Sequence, residues 1–283
     1  MRWQGGRRGG GGIEDRRGMG GGAVAGGGIG VAILGLIGYF VFGIDPSTTQ
    51  QVASQLGGAG SQEQGQVGTP EDQAGQFVDI IGGNVNDVWR TRLAGYQAPT
   101  VVLYEQGTGT QCGFGQAAMG PFYCPADQTV YLDLSFWQQM ETDLGASSAD
   151  FARAYVIAHE FGHHIQTLTG TSQQVRQAQQ RASGQAEANQ YSVALELQAD
   201  CYAGVWAANA STASGGAVAL EAGDLEAGLR TASAIGDDTL QRRQGGRVVP
   251  EGFTHGSSAQ RMEWLRRGYQ SGDPAVCDTF SAL

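Results

Sequence analysis

The sequence contains no lysine; all 17 of its cationic side chains are arginine. Arginine can stand in for lysine on any exposed surface, so this absence reads as a composition bias and excludes no function. Basic charge is scarce overall, with a net charge of −10. Five arginines (Arg2, Arg7, Arg8, Arg16, Arg17) gather in residues 1–22 against Glu14 and Asp15, so that stretch carries +3 and the remainder −13. Binding phosphates requires a basic face, and the acidic body therefore argues against nucleic acid as a partner. No C-x-x-C pair occurs among the four cysteines Cys112, Cys124, Cys201 and Cys277, which argues against a zinc site built from thiolates. No internal repeat of solenoid length is visible. Large apolar residues are sparse from Ser47 to Glu71, where Gln, Gly, Ser and Thr dominate. That composition predicts a flexible linker over residues 45–72.

Residues 23–44 carry no charged side chain. As a helix they would span about 33 Å, enough for a bilayer's hydrocarbon core. Gly26, Gly27, Gly28 and Gly30 weaken the first half, but Ile33 to Ile44 is strongly apolar, with Tyr39 and Phe42 near its far end. The glycine- and arginine-rich residues 1–22 before it and Asp45 after it predict a single-pass transmembrane helix. Its N-terminal tail would be cytoplasmic and its body periplasmic or extracellular. A cleaved signal peptide is the alternative, but no small-x-small site directly follows the apolar run. Either reading exports the body, where four cysteines fit two disulfides. Three pairings are possible; proximity favours Cys112 with Cys124, leaving Cys201 for Cys277.

The body, residues 73–283, shows helical spacing from Phe77 to Leu93, broken or kinked near Gly82 and Gly83. Ala98 to Glu105 and Thr129 to Leu134 read as strands. Ser147 and Asp150 resemble a capping box opening a helix that Gly170 ends. Further helices are predicted over Ala186–Asn209, Ala217–Ile235 and Ser258–Tyr269, the last capped by Ser257 with Gln260. The fold class is therefore α+β: a small β layer followed by a mostly helical domain, preceded by one transmembrane helix.

The string HEFGH, His159 to His163, lies within the helix expected to end at Gly170. Residues four apart share a helix face, so both imidazoles can address one Zn2+ ion. Glu160 would then lie beside the metal as general base for its water. His164 points about 100° away and is a poor ligand. A third histidine ligand on this helix would need Gly at 166 and His at 169; Gln166 and Thr169 stand there instead. The string ELQAD offers a better third ligand in Glu196, with Asp200 on the same face to accept the remaining ring N–H of His159. Two acids on a helix usually mark a solvated face. Here the flanks LQA and CYAGVWAA are apolar, and buried carboxylates need a metal or a hydrogen-bond partner. His255 is the one histidine outside the HEFGHH run. It could donate a hydrogen bond to the oxyanion formed at a peptide carbonyl, or simply open a helix. Asp237 and Asp238 could position an arginine or histidine near the site or simply end a helix, and the helix end is the favoured reading.

HEFGHHIQ, ELQADCYAGVW, AIGDDTLQ, THGSSAQR and GPFYCPADQTVYLDLSFW together resemble the neutral zinc metallopeptidase family of bacteria. The paired ligand helices also resemble the gluzincin arrangement of thermolysin, although the 32 residues between His163 and Glu196 leave room for an extra loop or short helix. The resemblance implies a zincin-like domain and zinc-dependent hydrolysis of a peptide or protein substrate. The alternative is a non-catalytic, membrane-tethered zinc-binding module that recruits partners.

Overall fold

β-Branched and apolar residues at Thr100–Tyr104 (β3) and Thr129–Asp133 (β7) form two parallel central strands, paired in register from Thr100 with Thr129 to Tyr104 with Asp133. They belong to a computed structural model that describes residues 1–9, 12–18, 65–116, 120–281 and 283. Three short strands complete this sheet: Ile13–Asp15 (β1), Gln66–Gly68 (β2) and Phe122–Cys124 (β6). The order is β2-β1-β3-β7-β6, with β1, β3 and β7 parallel and both edge strands antiparallel. Side chains alternate across the pleat. Val101, Leu103, Val130 and Leu132 enter the main core, whereas Val102, Tyr104, Tyr131 and Cys124 form a small second cluster with Phe122. Beside Phe122 lies the hairpin Gly107–Thr110 (β4) and Gly113–Gln116 (β5), where a Cβ on Gly115 would come within 2.5 Å of the Phe122 ring.

Eight helices occur among the described residues. They are Gln73–Arg92 (α1), Phe136–Thr142 (α2), Asp150–Leu168 (α3), Thr171–Arg181 (α4), Gln185–Ala213 (α5), Asp224–Ala234 (α6), Asp237–Arg243 (α7) and Ser258–Ser271 (α8). The α+β class holds. Helix α5 touches α1, α3, α4 and α8, which explains its near-complete burial from Leu197 to Ala207. The expected break at Gly82 and Gly83 does not occur: α1 runs through both. They serve close packing instead, since a Cβ on Gly82 would meet the Phe161 ring at 3.4 Å and one on Gly83 would meet the Gly9 backbone at 3.0 Å. The capping box at Ser147 is absent too. Helix α3 has Ala149 at its N-cap, and the Asp150 carboxylate accepts the indole N–H of Trp3 at 2.8 Å. At α8 the Ser257–Gln260 box is present. Helix α6 starts later than Ala217 because Ala219 pairs by two backbone hydrogen bonds with Arg2.

These N-terminal contacts correct the single-pass topology. Trp3 and Ile13 lie in the main core, and β1 pairs with β3 of the body. One span through residues 23–44 would put residues 1–18 and 65–281 on opposite sides of a bilayer, yet they share a sheet. Among the described residues no helix is long and apolar enough to cross a membrane. The membrane anchor, and the surface localisation drawn from it, are therefore not supported. Residues 23–44 themselves lie outside the described residues, as do residues 45–64 of the expected linker. The rest of that linker is structured, carrying β2 and Asp72, whose carboxylate caps α1.

The N-terminal segment should bear on stability accordingly. Trp3 packs edge-on against Phe77 with ring centroids 5.0 Å apart. Trp3→Ala is expected to lower the free energy of unfolding by about 3 kcal/mol, as for other buried aromatics. An unchanged urea midpoint would show that residues 1–18 do not belong to the folded body.

Candidate metal centre

Helices α3 and α5 cross closely at Gly162, where an added Cβ would meet the Ala199 backbone at 3.0 Å. This approach brings the His159 and His163 face of α3 against the Glu196 and Asp200 face of α5. His159 Nε2 lies 3.2 Å from Glu196 Oε2, and His163 Nε2 lies 3.4 Å from Glu196 Oε1. The imidazoles stand nearly perpendicular, with centroids 4.8 Å apart. One donor atom from each of the three residues falls within 4.8 Å of the others. Ligand bonds near 2.1 Å in a tetrahedron place donors about 3.4 Å apart, so this donor set fits zinc.

The other ring nitrogens are already engaged. His159 Nδ1–H donates to Asp200 Oδ1 at 2.8 Å. His163 Nδ1–H donates at 2.9 Å to Gln166 Oε1, and the Gln166 amide in turn donates to Leu195 O and Gln198 Oε1. Each ring is thus held in the tautomer that directs Nε2 toward Glu196. Asp200 also accepts Tyr155 O–H and two N–H groups of Arg261, at 2.8 and 3.0 Å. Sequence reasoning missed Gln166 and Tyr155 as supports, although each stands at helical spacing, three residues after His163 and four before His159. It also left Arg261 without a partner, and no local pattern links that residue to Asp200.

Charges in the centre follow from these contacts. Burial alone would lower the His159 imidazole, but Asp200 and Glu196 outweigh it and hold it up at about 10. Burial lowers His163, which faces the neutral Gln166 amide at Nδ1. Burial would raise both carboxylates, yet the histidines around Glu196 keep it well below the ordinary range. Arg261, then His159, hold Asp200 at about 2. Burial pushes Glu160 up to about 8. Its carboxylate, on the residue after His159, accepts no hydrogen bond among the described residues and is 7% exposed.

His255 stands on the loop before α8. Asp237 Oδ2 accepts the backbone N–H groups of Thr254, His255 and Gly256 at 2.7, 2.7 and 3.0 Å, and Asp237 Oδ1 lies 3.3 Å from His255 Nδ1. Asp237 therefore shapes this loop as well as opening α7. Burial would lower the His255 imidazole, but Asp237 and Glu196 raise it, and its charge is felt at Glu160. His164 is fully buried: Nε2–H donates to Gln97 O at 2.7 Å, leaving Nδ1 to accept Tyr123 O–H at 3.0 Å. It ties edge strand β6 to α3. Cys112 pairs with Cys124 and Cys201 with Cys277, the pairing that proximity favoured. The second disulfide fastens the C-terminal segment beside Asp200, where Gln198 also donates to Cys277 O.

The chain is 47% identical over 295 residues to "Uncharacterized protein YpfJ" of Escherichia coli K12, covering 99% of each chain. It is 46% identical over 211 residues to "Uncharacterized protein Rv2575" of Mycobacterium tuberculosis, covering 72% of this chain and 70% of that one. No solved structure matches it. Residues 1–280, nearly the whole length and including the N-terminal segment built into the sheet, match one family throughout. The chain belongs to the family described as "Putative neutral zinc metallopeptidase".

Proposed function

We propose that the protein is a peptidase that hydrolyses peptide bonds with zinc held by His159, His163 and Glu196. One observation carries this reading: two imidazole Nε2 atoms and a carboxylate converge beside a second carboxylate, Glu160, that makes no hydrogen bond of its own among the described residues. Bound there, zinc would lower the pKa of water to about 7 and polarise a substrate carbonyl. Glu160 takes the water proton on its carboxylate and later delivers it to the departing amine nitrogen. Asp200 and Gln166 hold the two imidazoles in their ligand tautomers. His255, positioned by Asp237, donates a hydrogen bond to the oxyanion as water adds to the carbonyl.

Purified protein is expected to hold about one zinc per chain by elemental analysis, and His159→Ala to lose it. Zinc-loaded protein should cleave members of an unbiased peptide library, read by mass spectrometry, and a chelator should stop it. A zinc-loaded chain that leaves every peptide intact would instead be a binding module.

A further inference from the structure

We propose that Arg261 is the positioning residue of this centre, acting through Asp200 to hold His159 in the orientation that zinc requires. The inference rests on the metal reading given above. Asp200 is fully buried and can rotate about its side-chain bonds unless both oxygens are held. Arg261 supplies that constraint from α8, 61 residues away in sequence. Its Nε–H donates to Oδ2 at 2.8 Å and its Nη2–H to Oδ1 at 3.0 Å, a fork that fixes the carboxylate plane. The guanidinium is fixed in turn, with Nη2 3.3 Å from the Tyr155 hydroxyl and Nη1 3.4 Å from Ile235 O. Oδ1 of this clamped carboxylate is the atom that receives His159 Nδ1–H. Rotation of the carboxylate would swing Nε2 of the same ring away from Glu196.

Position in the fold strengthens the assignment. The segment from Thr254 to Arg261 carries His255 at one end and Arg261 at the other, joined by the Ser257–Gln260 cap. One short stretch of chain therefore sets both the oxyanion donor and the orientation of His159. Arg261 makes no hydrogen bond or ion pair with the candidate ligands or Glu160, and it is 3% exposed, so it does not reach substrate. Removing one partner of a buried ion pair strands the other charge and destabilises a fold, so stability alone cannot test the idea. Lysine keeps the charge but not the fork.

The decisive experiment measures zinc affinity by competition with a chromogenic chelator, and the visible absorption of the cobalt-substituted protein, in the full chain. Four proteins are compared: unsubstituted, Arg261→Lys, Asp200→Asn, and the double variant. Arg261→Lys is expected to bind zinc at least about tenfold more weakly, the scale of outer-shell effects on metal sites, with an altered cobalt spectrum. In the Asp200→Asn background the same substitution should cost nothing further, because its route to the ligand has gone. Should Arg261→Lys fold poorly, Arg261→Gln combined with Asp200→Asn removes both charges of the buried pair and serves in its place, with a zinc affinity expected to equal that of Asp200→Asn alone. Unaltered zinc affinity and cobalt spectrum in Arg261→Lys, or effects that add in the double variant, would overturn the inference while leaving the metal site intact. Failure of the unsubstituted chain to bind either metal would overturn the metal reading and the inference with it.

Discussion

Glu160→Gln should retain a full complement of zinc and lose about 10^2- to 10^4-fold in kcat, the usual contribution of a positioned acid–base group. The substitution keeps volume and helix propensity while removing the ability to accept a proton. Glu160 supports no neighbour among the described residues: its carboxylate accepts no hydrogen bond, so its replacement breaks nothing in the fold. Burial raises it to about 8 in the metal-free protein. A divalent cation held by His159, His163 and Glu196 would oppose that rise and keep the group ionised. KM should change little, because the lost interaction belongs to the proton-transfer step. Zinc content and peptide cleavage must be measured on the same preparation. Undiminished cleavage would remove Glu160 from the mechanism, whereas loss of zinc would make it a ligand.

The parts of this centre legible in the sequence are those set by helical periodicity. His159 with His163, and Glu196 with Asp200, each stand four residues apart, so a helix alone places each pair on one face. Their meeting required only that the two helices pack, which Gly162 permits. Contacts that depend on tertiary structure were hidden. Arg261 reaches Asp200 from another helix, and the hold of Asp237 on His255 across 18 residues is the less favoured of two readings of the acid pair. The pattern around Asp237 and Asp238 reads equally well as a helix start, which it also is.

The fold shows the same division. Strands β3 and β7 carry enough β-branched and apolar residues to be seen, whereas β1 and β2 are three-residue segments, IED and QVG, without alternation. They become strands because β1 pairs along the edge of β3 and β2 in turn pairs along β1. Helices α2 and α7, seven residues each, are too short for a period to emerge. The single-pass expectation failed for a related reason. The uncharged run 23–44 is a local signal, but its sidedness rested on reading residues 1–22 as a detached basic tail. Many of those charges are paired instead: Arg8 with Asp79, Arg16 with Glu14, and Arg17 with Asp15 and Asp72.

Gly268→Ala should be the most destabilising glycine-to-alanine change among the described residues, costing more than about 4 kcal/mol, beyond the usual range for point substitutions. Helices α5 and α8 touch backbone to backbone. A Cβ on Gly268 would stand 2.0 Å from the Cys201 carbonyl oxygen, and one on Gly204 would stand 2.2 Å from that of Leu265. Neither obstacle is a side chain that can turn aside, so the helices must part by about 1 Å or more along a close-packed interface. The Cys201–Cys277 disulfide ties that same stretch of α5 to the segment after α8 and opposes the movement. Parting the helices also draws Arg261 from Asp200, so zinc affinity should fall together with stability. Gly184→Ala provides the control: φ there is 179°, an extended backbone open to any residue, and nothing lies within 4 Å of the added carbon. Equal urea midpoints for Gly268→Ala and Gly184→Ala would mean that the two helices do not meet this closely. The link between α8 and the metal centre would then lose its physical basis, because the fork on Asp200 spans only the gap that these glycines leave.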